Sequence, residues 1–167
     1  PERIFELATH EAVTSLAVQK GLAEAYYPAY EDEVNLLLKL NGTSNLWMGE
    51  PNSAVNCTAE YAAELGADAV GFTIYGGSNH EVEMAEEFRE AQEGARDNDM
   101  AVVMWSYPRG QGLRNDGSPD VISYGARLGL ELGADVVKVK YPGSAEAMGH
   151  AVEMAGPADV VMSGGTM

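Results

Sequence analysis

One short pattern returns along this chain and limits what it can fold into. Ala63-Glu-Leu-Gly-Ala-Asp-Ala-Val-Gly71 is matched by Leu130-Glu-Leu-Gly-Ala-Asp-Val-Val-Lys138 and, more loosely, by Ala155-Gly-Pro-Ala-Asp-Val-Val-Met162. Each copy reads as a helix end, a Gly suited to the left-handed position after a helix, an Asp, and then a β-branched run. Helix-to-strand units that recur in this way specify a parallel sheet built of βα crossovers.

With that template the chain divides into alternating elements. Helices are expected over 1–14, 21–27, 57–65, 81–96, 120–132 and 144–155, and strands over 15–19, 35–41, 69–75, 101–107, 135–141 and 159–163. The strongest helix is 81–96, with Val82, Ala85, Phe88 and Ala91 read as its apolar face. Six strands, nearly all followed by a helix, fit either an open doubly wound sheet or a (β/α)8 TIM barrel. Polar residues favour the barrel: Lys39, Asn41, Trp105, Tyr107, Lys138, Lys140 and Ser163 all fall near strand C-terminal ends, where a barrel gathers its chemistry. Six strands do not close the usual barrel. Both chain ends cut across the repeating pattern, so residues 1–167 read as one partial barrel domain holding about strands 2 to 7.

The strand 135–141 carries the sharpest chemical signal. Strand residues alternate faces, so Lys138 and Lys140 share one face and Val137 and Val139 the other. Two ammonium groups on one face of an apolar strand are costly to bury. Burial and mutual repulsion both favour the neutral amine, which is how a lysine becomes a nucleophile. The competing reading is an exposed strand end paired with surface carboxylates. Composition bears on the choice. The chain has four lysines against 26 acidic residues, and all four lie in or just after apolar, strand-like runs.

The same composition excludes several partners. A net charge of −16 argues against nucleic acid, whose phosphates need Lys and Arg, and against anionic membrane surfaces. No apolar run has membrane-spanning length. Dispersed surface carboxylate with scarce lysine fits a protein from a halophilic source, kept soluble by its charge. The single cysteine, Cys57, excludes internal disulfides and fits a reducing cytoplasm. Close to a helix start its pKa could be lowered; a packed cysteine is the plainer alternative. His10, His80 and His150 do not cluster, so no metal or other cofactor is called for.

Two more segments complete the candidate site. In Ala101-Val-Val-Met-Trp105-Ser-Tyr107-Pro-Arg109-Gly110, Trp105 and Tyr107 share a face, and a rim phenol beside a lysine can carry a proton. Aromatic capping of the core is the bland rival. Val160-Val-Met-Ser163-Gly164-Gly165 ends a strand on two glycines whose backbone N–H groups could approach a phosphate.

At these residues the sequence resembles the archaeal-type class I fructose-1,6-bisphosphate aldolases of the DeoC/class I aldolase superfamily. The shared marks are Lys39-Leu-Asn-Gly42, Gly49-Glu-Pro51, Val70-Gly-Phe-Thr-Ile-Tyr75, Trp105-Ser-Tyr-Pro-Arg-Gly110, Lys138-Val-Lys-Tyr141 and Met162-Ser-Gly-Gly165, in the expected order. The resemblance implies Lys138 as the Schiff-base lysine, Tyr107 as the proton-transfer residue and Trp105 lining the site. It further implies Ser163, Gly164 and Gly165 at a substrate phosphate, Lys140 as a charged neighbour, a phosphosugar substrate and a homo-oligomer. A relative that makes an amino-dideoxy-heptulosonate by transaldolase-type transfer, and a barrel that binds phosphosugars without turnover, are the alternatives.

Overall fold

The structure is a computed structural model, and it describes residues 1–164. Six parallel strands form one curled sheet, a half-barrel: β1 (Leu16–Gln19), β2 (Leu36–Lys39), β5 (Ala69–Ile74), β6 (Ala101–Ser106), β7 (Val136–Lys140) and β8 (Asp159–Ser163), side by side in that order. A two-residue antiparallel ribbon, β3 (Asn41–Gly42) with β4 (Ala54–Val55), sits at the mouth after β2. The helices are α1 (Arg3–Ala8), α2 (Lys20–Tyr26), α3 (Ala59–Glu64), α4 (Glu81–Asp97), α5 (Pro119–Glu131) and α6 (Ala145–Ala155).

The sheet is sealed on its outer face. Leu36 and Leu38, Val70, Phe72 and Ile74, Val102 and Met104, and Val137 and Val139 are all buried there. They form one core with Phe5, Ala23, Ala62, Phe88, Ala126 and Ala151 from the six helices. Phe72 meets Phe88 edge to face at 5.6 Å. Removing this much apolar surface from water is the main stabilising term.

Each sequence repeat turns out to be a joint. Gly66, Gly133 and Gly156 follow α3, α5 and α6 at φ +80°, +84° and +60°, conformations that L side chains rarely adopt. The Asp two residues after the first two glycines then reaches sideways. Asp68 Oδ2 accepts from the Leu36 backbone N–H at 2.8 Å, and Asp135 Oδ2 accepts from the Val102 N–H at 2.8 Å. Each carboxylate thus fixes where a neighbouring strand begins, at the end of the sheet opposite the lysines.

Three expectations need correction. The first helix ends at Ala8 rather than near residue 14: Thr9 Oγ1 donates back to Glu6 O, and residues 9–12 turn. The apolar face of α4 is Met84, Phe88 and Ala95, with Ala91 at its margin, while Val82 is 71% exposed. Lys20 is the first residue of α2 and lies over the Tyr61 ring, away from the other lysines' face.

Replacing Asp135 by Ala is expected to lower the urea unfolding free energy by about 1 kcal/mol, the usual net worth of one hydrogen bond. Asp135→Asn, which keeps an acceptor, should lose less. Equal losses in the two variants would mean that the strand tether is not what Asp135 supplies.

Candidate active site

The concave face is built from the other half of each strand's alternation. Leu37, Val103 and Trp105 form a small second cluster there, with Ala69, Tyr107 and Val136 packed against it. Above it, toward the strand C-terminal ends, the polar groups begin. Trp105 pairs in register with Thr73 on one side and Lys138 on the other, Lys138 with Val161, and Lys140 with Ser163.

Gly71 makes room for the centre of this face. A Cβ there would come within 2.2 and 2.6 Å of the Trp105 ring and 2.8 Å of Leu37 Cδ2. The indole therefore leans over β5, 8% exposed, in space that only glycine leaves. Two amines flank it: Lys39 Nζ lies 5.4 Å from the ring centroid and Lys138 Nζ 5.5 Å. Both distances are within cation–π range.

Lys138 and Lys140 do share the concave face, but their ammonium groups have different neighbours. Lys140 Nζ donates to Asp116 Oδ2 at 2.8 Å, and Arg109 Nε lies 3.9 Å from the same oxygen. Asp116 is held below its ordinary pKa, first by the Lys140 hydrogen bond and also by the charges of Lys140 and Arg109. The sequence pairs Lys138 with Lys140 as mutually repelling charges; in the fold Asp116 compensates Lys140, and Lys39 is the amine set against Lys138. Burial first, and then the charge of Lys138, pull Lys39 from 10.5 down to about 8.

Tyr107 follows the end of β6, and its hydroxyl donates to Ser163 Oγ at 3.0 Å on β8. Burial pushes the phenol's pKa up, with a smaller push from Tyr75; the Ser163 hydrogen bond and the Arg109 charge pull the other way. Gly164 is exposed just beyond β8. Gly165 lies outside the described residues. Cys57 is buried and its thiol is pushed up by desolvation, so the packed alternative holds.

The mouth loops are tied together by one acid. Glu50 Oε1 accepts from the backbone N–H of Asn79, after β5, and of Gln111, after β6, both at 3.1 Å. Ser78 Oγ donates to Pro51 O beside it. Asn41 is wholly buried and acts as a splice: its Nδ2 donates to Thr73 O and its Oδ1 accepts from Thr73 N–H at 2.7 Å. This side chain continues the β2–β5 pairing after β2 itself has stopped.

The arrangement offers a partly buried amine, a second amine of lowered pKa, a phenol and a hydroxyl on one open face, which suits covalent carbonyl chemistry with proton transfer. The whole chain, residues 1–167, matches the DeoC/LacD family of aldolases. The chain belongs to that family. It is 73% identical over 166 residues to the class 1 fructose-bisphosphate aldolase of Halobacterium salinarum, covering 99% of this chain and 63% of the relative. To the class 1 fructose-bisphosphate aldolase of Thermoproteus tenax it is 46% identical, over 99% of this chain and 62% of that one. A solved archaeal fructose-1,6-bisphosphate aldolase, with its catalytic Lys covalently bound to the carbinolamine intermediate of the substrate, is similar in fold. Its TM-score is 0.93 at 44% identity, over 99% of this chain and 64% of its own. The chain thus spans under two thirds of the length of the curated relatives it matches.

Lys39 and Asp116 are the members of this face that the sequence reading leaves without a role. Lys39 carried a signal, since it ends an apolar run and opens the Lys39-Leu-Asn-Gly42 motif. Asp116 carried none, sitting in an irregular loop.

The lowered pKa of Lys39 has a consequence for stability. The unfolded chain keeps this proton up to the ordinary lysine range, while the folded chain releases it near 8. Between those values the unfolded state binds more protons, so stability rises with pH; below about 8 the full cost is present. Lys39→Met should therefore gain on the wild type at about pH 7 by up to roughly 3 kcal/mol, at about 1.4 kcal/mol per pKa unit. The gain should shrink toward pH 10.5. Urea midpoints of the two proteins across that range test it, and a pH-independent difference would contradict it.

Proposed function

We propose that the complete protein is a class I fructose-bisphosphate aldolase, cleaving fructose 1,6-bisphosphate reversibly to dihydroxyacetone phosphate and glyceraldehyde 3-phosphate. The observation that carries this reading is the concave row itself: Lys138 beside Trp105 in register, with the Tyr107 hydroxyl on Ser163 Oγ at 3.0 Å. Lys138 Nζ would attack the C2 carbonyl, forming a carbinolamine that loses water to give a protonated imine. Breaking the C3–C4 bond leaves its electron pair on C3, and the imine draws that pair in as an enamine. Tyr107 would accept the C4 hydroxyl proton as the aldehyde departs, and a proton returned to C3 followed by hydrolysis releases the ketone. Trp105 would line the cleft, Ser163, Gly164 and Gly165 would receive the phosphate on C1, and Lys140 would add positive charge beside it.

The six strands are placed as strands two to seven of an eight-stranded barrel, residues 1–167 being one partial domain of it. Two features support this placement. On edge strand β8, Val161 is 46% and Met162 52% exposed, apolar groups that a further strand and helix would cover. The curated relatives are also longer by more than a third of their own length. An assembly of like chains in the cytoplasm belongs to the same reading; among the described residues no helix is long and apolar enough to cross a membrane.

Reduction with borohydride in the presence of dihydroxyacetone phosphate should add a three-carbon phosphate adduct to the peptide bearing Lys138, found by mass spectrometry of the digested complete polypeptide. Labelling confined to other lysines would refute the assignment. A halophilic source fits the same reading, because a net charge of −16 repels itself until salt screens it. The thermal midpoint should rise as KCl goes from tenths of molar to several molar. A flat or falling midpoint would remove the halophilic part of the proposal alone.

A further inference from the structure

Lys39 is the group on this face that the reaction above leaves idle, and its surroundings do not explain it. It sits at the end of β2, partly buried on the concave side. Its Nζ donates to the Asn41 carbonyl at 3.0 Å, an oxygen that also accepts from Gln19 Nε2. Among the described residues it has no carboxylate within ion-pair distance, whereas Lys140 does. An ammonium held in this way, two of its three donors unspent, is costly unless an anion arrives to meet it.

The order of strands shows where that anion would come from. Ser163 is on β8, Lys138 on β7, Tyr107 just past β6 and Lys39 on β2, with Gly71 of β5 in register beside it. The substrate chain would run the same way: one phosphate at β8, C2 at Lys138, the C4 hydroxyl near Tyr107. Its far end then points across Trp105 toward β2. Lys39 and Lys138 each lie within 5.5 Å of the same ring centroid, so their separation is at most the sum of the two distances. Six bonds separate C2 from the phosphorus on C6, enough for an extended chain to cross one indole. Arg109 is the other cation on that side, but it is half exposed, stacked at 5.8 Å on Tyr75 and shared with Asp116.

Resting on the aldolase reading, we propose that Lys39 is the specificity-determining amine that receives the phosphate on C6, the aldehyde half of the substrate. Gly71 is part of the device, since its missing side chain lets Trp105 form the floor that the sugar crosses.

The test compares fructose 1,6-bisphosphate with fructose 1-phosphate, which lacks only that group, in the complete polypeptide. In Lys39→Gln, which keeps a donor for the Asn41 carbonyl, the ratio of kcat/KM for bisphosphate over monophosphate should fall at least tenfold. Lys39→Arg should restore part of the preference. Loss of a merely structural contact, or of an influence on Lys138, would lower both substrates together and leave the ratio where it was; that result overturns the proposal. A ratio that falls in Arg109→Gln but holds in Lys39→Gln transfers the contact to Arg109 and also overturns it. If Lys39→Gln does not fold, Lys39→Met takes its place, and failure of both to fold makes Lys39 a core residue and sinks the idea. Borohydride trapping on Lys138 in the unsubstituted protein separates the two levels. No adduct there defeats the aldolase reading, while an adduct with an unchanged ratio defeats only the role given to Lys39.

Discussion

A parallel strand can offer amines to a cleft only if its opposite side is sealed, because the same few residues must serve both surfaces. β7 does this in five positions: Val137 and Val139 sink into the helix-backed core, while Lys138 and Lys140 face the hollow of the sheet. Everything else in the site depends on that division. The large core supplies the free energy that lets the concave surface carry groups with poor solvation. Strand order then decides which of those groups meet.

Within the hollow, Trp105 is the organising side chain. Its indole fits only because β5 has glycine at position 71, and two lysines more than ninety residues apart come to rest against it. The two rim cations differ in kind from this pair. Lys140 and Arg109 share Asp116, so their charge is largely spoken for, whereas burial and the facing Lys138 leave Lys39 weakly held as an ammonium. The face therefore combines compensated and uncompensated positive charge a few ångströms apart, and the uncompensated part is the one with chemistry to do.

Much of this was legible in the sequence, and the parts that were not have physical reasons. The Gly-Ala-Asp repeat announced parallel βα units because it encodes two local necessities, a left-handed residue after a helix and a carboxylate at a strand start. Alternation on 135–141 predicted which lysines share a face. The β3–β4 ribbon escaped notice, since two-residue strands have no period to detect. The face of α4 was misjudged because Val82 is apolar yet lies where no neighbouring element covers it. Asp116 and Lys39 could not be assigned to the site from spacing: their partners lie tens of residues away, and only the curl of the sheet brings them near.

The carboxylates that hold β2 and β6 at their starting ends add one more consequence. They moor the scaffold on the floor of the half-barrel, while the loops stitched by Glu50 form its ceiling, and the two sets of contacts share no residue. A descendant of this chain could rewrite its ceiling, and with it the sugars it accepts, without loosening the moorings. Heritable change in taste and heritable change in sturdiness would then accumulate on separate pages of the same gene.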